Sequence, residues 1–317
     1  ERRAANDRLM PDVKGDGIAK ADLIIEVVPE NPEIKASVYA DCESRMKKGA
    51  ILATNTSSIL LQTLRKTLKN PQQFCGIHFF NPVAKMPLVE MISHDQLDPK
   101  VAKRVLGFIN AIDKLPLPVK SAPGFLVNRA LTPYMVEAFL AYSEGVKPEL
   151  IDKVMEDFGM PMGPIELADT VGLDVGLHVA KVLQRDLKRA TPDAPDWLEK
   201  LVEQKKLGKK TGQGIYKWVN GKAKKQKTDD QPPVGLADRL ILPMLNAIAD
   251  CMDEGLIEDN DAADAGMIFG TGFAPFTGGP INYAQKRGID EIVEKLTALE
   301  EKYGKRFAVS KGWKKLR

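Results

Sequence analysis

FCGIHFFNPVAKMPLVEMI, residues 74–92, places two short apolar runs on either side of a turn-forming centre. FCGIHFF (74–80) and PLVEMI (87–92) are rich in β-formers, and no helical pattern separates them, so they predict an antiparallel hairpin turning near Ala84. His78 and Glu90 are then equidistant from the turn and face each other across the ladder, close enough to interact. A carboxylate beside an imidazole favours the protonated ring, fixes its tautomer and raises its basicity, which is how a general base is oriented. The same pair also serves as a purely structural hydrogen bond, and geometry alone leaves both roles open.

Outward from the hairpin, LIIEVV (23–28) and AILAT (50–54) are further short strand signals, with helical patterns at 32–47, 59–68 and 99–113. Strand and helix in alternation predict a largely parallel sheet covered by helices. NTSS (55–58) follows AILAT directly and so falls at the carboxyl end of a parallel strand, where open α/β sheets bind ligands. Ser57 or Ser58 equally reads as the N-cap of a helix starting near Ile59. In VPENPEIK (28–35), Pro32 suits a first helical turn, and Lys35 taken alone reads as an exposed helix residue. His94 and His178 read as structural histidines.

From Pro123 onward the pattern is helical. Leu126, Ala130, Leu131, Tyr134, Ala138, Phe139 and Tyr142 share one face, with Pro133 expected to distort the helix. NRALTPYMVEAFLAYSEGV at 128 and DRLILPMLNAIADCMDEGL at 238 align at a period of 110 residues, Pro133 meeting Pro243 and Glu144-Gly145 meeting Glu254-Gly255. Phe158-Gly159 then meets Phe269-Gly270, and Gly163-Pro164 meets Gly279-Pro280. Two homologous helical domains follow, separated by the basic stretch 207–227, read mainly as a solvated linker. GKKT within it lacks the upstream glycine of a phosphate-binding loop. Asn128 becomes Asp238 in the second copy, so the scaffold does not require an amide there.

The 317 residues are 44% hydrophobic and 28% charged, with a net charge of +3, which gives no support to a nucleic-acid footprint. Three scattered cysteines (Cys42, Cys75, Cys251) match no metal cluster or disulfide framework, and no apolar run reaches the length of a membrane span. ERRAANDRLM at the start reads as the inside of a helix, so the chain is expected to be a fragment.

EVVPENPEIK, NTSS, GIHFFNPVAKMPLVE, APGFLVNR and FGMPMGPIELAD resemble, in order and spacing, the 3-hydroxyacyl-CoA dehydrogenases of fatty-acid β-oxidation, over essentially the whole chain. The tandem helical domains look like the multifunctional members, in which a hydratase/isomerase domain comes first. The resemblance implies an α/β domain followed by an all-α region: an incomplete Rossmann-type NAD-binding domain (1–121) and two C-terminal helical domains (122–220 and 221–317). It implies oxidation of an (S)-3-hydroxyacyl-CoA thioester by NAD, with no metal. His78 would be the base and Glu90 its orienting partner, while Ser57 and Asn128 would hold the substrate's oxygen atoms. Cofactor contacts would come from Val28, Glu30, Lys35, Ser57, Asn81 and Lys210, and a substrate contact from Tyr283. Pro29 stands where the family has a small apolar residue. The glycine-rich GxGxxG turn and its acidic partner are absent from this sequence, which implies a fragment that is inactive or weak and binds NAD weakly or not at all. Expected partners are an upstream hydratase domain, a thiolase subunit and a second copy, in the bacterial cytoplasm or, alternatively, in mitochondria or peroxisomes. The competing readings are a non-catalytic assembly module and a dehydrogenase of another hydroxy acid.

Overall fold

The computed structural model describes residues 2–57, 59–187 and 192–316. After a short helix α1 (Arg2–Asn6), a five-stranded sheet is built in the order β1 (Leu23–Glu26), β2 (Ile51–Thr54), β3 (Phe74–Phe79), β4 (Leu88–Ser93) and β5 (Leu115–Lys120). β1, β2 and β3 are parallel, β4 folds back against β3, and β5 runs parallel to β4. Helix α2 (Pro32–Arg45) joins β1 to β2. It starts at Asn31, whose side chain accepts from the Glu33 and Ile34 N–H groups, with Pro32 in the first turn as expected. The pattern at 59–68 yields only α3 (Leu61–Leu64) and a 3₁₀ turn, and α4 (Pro99–Ala111) covers one sheet face.

β5 was not among the strands expected, because LPLPVK carries two prolines. Pro116 and Pro118 are two residues apart and so turn the same edge of the strand outward, away from β4. β5 has no other neighbour, so the missing N–H groups remove no ladder bond, while Leu117 and Val119 are buried.

Alternation along the strands makes two cores. Ile51, Ala53, Cys75, Ile77, Val89 and Met91 pack under Val101, Val105 and Ile109 of α4. Leu52, Phe74, Leu88, Ile92, Leu117 and Val119 face the other way, into a core continuous with the helical region. By period two, His78 and Glu90 belong to that second face, towards the helices.

The helical region repeats itself. α5 (Val127–Ser143), α6 (Pro148–Phe158), α7 (Pro164–Val171) and α8 (Leu173–Asp186) correspond to α10 (Leu236–Asp253), α11 (Asn260–Thr271), α12 (Pro280–Arg287) and α13 (Ile289–Tyr303). Between the copies lie α9 (Asp196–Glu203) and a hairpin of β6 (Lys217–Val219) and β7 (Lys222–Lys224); α14 (Trp313–Leu316) closes the chain. Asp152 of α6 accepts the N–H groups of Ile165 and Glu166 at the start of α7, and Asp264 of α11 does the same for Ile281 and Asn282 of α12. The copies clasp reciprocally through α5 and α10: Arg129 pairs with Glu254, and Arg239 with Glu144, each residue 110 positions from its counterpart. α5 runs on through Pro133 rather than ending there.

Two expectations change. Gly270 lies inside α11, and the left-handed cap that matches Gly159 (φ 112°) is Gly272 (φ 76°), so the repeat is shifted there. The stretch 207–227 is folded: Tyr216 and Trp218 are buried, and Ile215 N–H, Tyr216 N–H and Trp218 Nε1–H all donate to Asp169. Its Lys225 is not a solvated linker residue but sits among Asp152, Glu156 and Glu166 at 3.1, 2.7 and 2.8 Å. Residues 220 and 221 lie in the turn of the β6–β7 hairpin.

Candidate active site

The hairpin forms in the register that its symmetry predicts, with His78 opposite Glu90. His78 Nδ1 lies 2.8 Å from Glu90 Oε2, and the two side chains are 5% and 0% exposed. The other carboxylate oxygen, Oε1, accepts the N–H groups of Leu126 and Val127 at 3.0 and 3.1 Å. Glu90 thus caps the start of α5, where orphan donors and the helix dipole favour an anion. The chain reaches this position through Phe125, which is fully buried with φ 51°, an uncommon conformation for an aromatic residue. Its ring and that of Phe80 approach the imidazole edge-on at 5.6 and 4.6 Å.

An ionised carboxylate only accepts, so the shared proton belongs to Nδ1 and the lone pair to Nε2. Nε2 is 3.0 Å from the Ser57 hydroxyl, which donates to it in that tautomer. Asn128 immediately follows the N–H groups that Glu90 caps; it is half-buried, and its side-chain amide has no partner among the described residues. Its counterpart Asp238 is fully engaged by the guanidinium of Arg287. Ser57, His78, Glu90 and the start of α5 therefore form one constellation, drawn from the turn after β2, from β3, from β4 and from α5.

Behind it lies a buried ionic knot that the sequence did not reveal. Glu26, the last residue of β1, accepts from Lys35 Nζ, Val28 N–H, the Tyr39 hydroxyl and the Thr54 hydroxyl, at 2.6–2.8 Å. Lys35 is 1% exposed, which overturns its reading as a surface residue; its ammonium also reaches Glu30 at 3.3 Å and the Val28 carbonyl. Burial pushes the Glu30 carboxyl up, but the Thr56 hydroxyl, the Lys35 charge and the Ser57 N–H outweigh it and hold it below the usual range. Each member is separated from its partners in sequence, and only the α2 crossover brings them together.

The remaining expected contacts lie apart. Asn81 is exposed in the hairpin turn, before Pro82. Lys210 pairs with Asp174 at 2.6 Å beside the α7–α8 junction, and Tyr283 packs on Phe158 and Phe273 in the second copy. Neither touches the His78 cluster among the described residues. Thr56, rather than Ser57, accepts the Ile59 N–H at 3.0 Å, and Ser58 lies outside the described residues. His94 has a structural place: burial lowers its pKa, Nε2–H donates to the Phe74 carbonyl at 2.9 Å, and Nδ1 accepts from Arg65. His178 is an exposed residue of α8. Asn55, which sequence reasoning passed over, ties the end of β2 to β3 by accepting the Phe79 N–H.

Residues 1–122 match the family described as "3-hydroxyacyl-CoA dehydrogenase, NAD binding domain", and residues 124–218 match "3-hydroxyacyl-CoA dehydrogenase, C-terminal domain". The chain is 39% identical over 305 residues to the fatty acid oxidation complex subunit alpha of Acinetobacter baylyi, covering 90% of this chain and 42% of that protein. It therefore spans less than half the length of that curated relative. Among solved structures, 3-hydroxybutyryl-CoA dehydrogenase from Escherichia coli superposes with a TM-score of 0.84 at 25% identity, over 98% of this chain and 84% of that one. The (S)-3-hydroxybutyryl-CoA dehydrogenase of Ralstonia eutropha gives 0.65 at 34% identity, over 69% and 78%.

Proposed function

The chain belongs to the 3-hydroxyacyl-CoA dehydrogenase family, and from that premise we propose that it carries the centre for NAD-dependent oxidation of (S)-3-hydroxyacyl-CoA to 3-oxoacyl-CoA. The observation that carries this reading is the continuous path Ser57–His78–Glu90–α5, which leaves Nε2 as the acceptor. Nε2 takes the proton of the substrate's 3-hydroxyl as the C3–H bond breaks, and the imidazolium so formed is stabilised by Glu90. Ser57 and Asn128 hold the oxygen as it becomes a carbonyl, which keeps the reacting centre in position. Bound NAD supplies the hydride acceptor. The residues present fit its nicotinamide end: the turns after β1 and β2 meet at the carboxyl ends of parallel strands beside His78, with Val27 69% exposed at the rim. Val28, Glu30, Lys35, Ser57 and Asn81 would line or support that crevice, while Lys210 and Tyr283 are assigned from the resemblance alone.

The division into 1–121, 122–220 and 221–317 belongs to the same reading. So do a hydratase domain and a thiolase subunit as partners, a homodimer, and a cytoplasmic place; no described helix is long and apolar enough to cross a membrane. A non-catalytic assembly role is disfavoured by the intact constellation. The test is NADH formation by the gene product that carries this chain, given a 3-hydroxyacyl-CoA and NAD. His78→Gln should lower kcat by about 10²–10⁴-fold, the usual contribution of a general base. Unchanged turnover in a folded variant would remove His78 from the mechanism.

A further inference from the structure

We propose that Glu30 is a positioning residue: from the turn after β1 it holds the turn after β2 so that the Ser57 hydroxyl meets His78 Nε2. Its Oε1 accepts both the Thr56 hydroxyl and the Ser57 backbone N–H, the latter at 2.9 Å, so one carboxylate oxygen fixes two successive residues. Thr56 in turn accepts the Ile59 N–H, which pins the far side of the same turn. Oε2 rests on Lys35, whose ammonium is anchored by the Glu26 carboxylate, which accepts from four groups at the end of β1. A path therefore runs from the buried end of β1, through Lys35, Glu30 and the Ser57 backbone, to the imidazole and on through Glu90 to α5. Loops at strand ends are otherwise the least fixed parts of an α/β sheet, and displacing a contact by about 1 Å can lower a rate about 100-fold. Glu30 thus acts on the base through Ser57, in addition to any part it has in the cofactor's seat.

The inference rests on the dehydrogenase reading, and its test separates the two. Glu30→Ala, Glu30→Gln and Ser57→Ala are made in the full gene product. Glu30→Ala should lower kcat by about 10- to 100-fold, a loss that raising NAD to saturation does not repair. Glu30→Gln keeps one carbonyl oxygen for the Ser57 N–H and should recover part of that loss. Once Ser57 is alanine, adding Glu30→Ala should change kcat less than about twofold, since the two act on one contact. Nitrogen NMR of the His78 ring, at a pH where it is neutral, reads the same contact without turnover: Nε2 should shift alike in Glu30→Ala and Ser57→Ala. A raised KM for NAD with unchanged kcat, or additive losses, or an Nε2 resonance unmoved by Glu30→Ala, would overturn the positioning role. If the unaltered protein formed no NADH while the Nε2 shift still appeared, the dehydrogenase reading would fail and the positioning role would stand.

Discussion

At the scale of single residues, Glu90 carries two duties with two oxygens. Replacing it by Gln keeps the shape but offers an amide to either Nδ1 or the α5 N–H groups, so one side loses its acceptor. Glu90→Gln should lower kcat at least about 100-fold, because an amide N–H facing Nδ1 shifts the ring to the tautomer whose Nε2 is already protonated. The weakened cap should also destabilise the fold by about 1 kcal/mol, seen as a lower melting temperature in the same preparation. This pair was legible in the sequence, because a hairpin's symmetry converts spacing into contact. The capping of α5 by Glu90 was not legible, since 36 residues and a β-strand separate the carboxylate from Leu126. Lys35 was misread for a related reason: a lysine in a polar helix pattern gives no sign that its neighbours on β1 and α2 are Glu26 and Tyr39.

At the scale of elements, the α6–α7 and α11–α12 corners use one device twice, an aspartate that accepts the first N–H groups of the next helix. Burial pushes the carboxyls of Asp152 and Asp264 up to about 6 against the opposing hydrogen bonds. Between about pH 4 and 6 such a group is protonated in the fold and ionised in the unfolded chain, so its contribution to stability falls as pH rises through that window. In paired thermal melts of Asp264→Asn and the parent, the parent's advantage should therefore narrow as pH rises from about 4 to about 6 and stay level above it. Asp264 is the cleaner position, since Asp152 also feels Lys225. The corners need glycine as well: a Cβ on Gly163 would sit 2.1 Å from the Asp152 Cα, and one on Gly279, at φ 111°, 2.3 Å from the Asp264 Cβ. Gly163→Ala should destabilise by about 3 kcal/mol or more in urea unfolding, beyond ordinary overpacking, because backbone has to move. Both corners were visible as repeated Gly-Pro pairs, whereas β5 was hidden by the prolines that also confine it to an edge.

At the scale of the molecule, the two helical copies are joined by a near-symmetric clasp whose halves are equally buried but unequally supported. Both arginines are buried against a half-exposed glutamate, Glu254 for Arg129 and Glu144 for Arg239, but Arg239 also pairs with the buried Glu137 and stacks 4.1 Å from the Tyr303 ring. Removing Arg239 leaves Glu137 buried with Arg306 as its remaining cation. Arg239→Met should therefore lower stability by about 3–5 kcal/mol, and Arg129→Met by roughly half as much. Denaturant midpoints of the two variants, compared at equal slope, give the ranking, and equal losses would contradict the part given to Glu137. The period of 110 residues made the duplication readable, but not which arginine matters more, because Glu137 and what α13 and its following turn bring lie on the Arg239 side.

The copies also differ where the Asn128 amide has no partner among the described residues and its counterpart Asp238 is taken up by Arg287. Duplication has therefore doubled the scaffold without doubling the workplace: the second copy uses for internal cohesion the position that the first leaves out of such a pair. Stoichiometry follows from this. A tight-binding mimic of the 3-oxoacyl thioester, titrated by calorimetry against the full gene product, should saturate the proposed centre at one equivalent per chain, although each chain contains the helical unit twice.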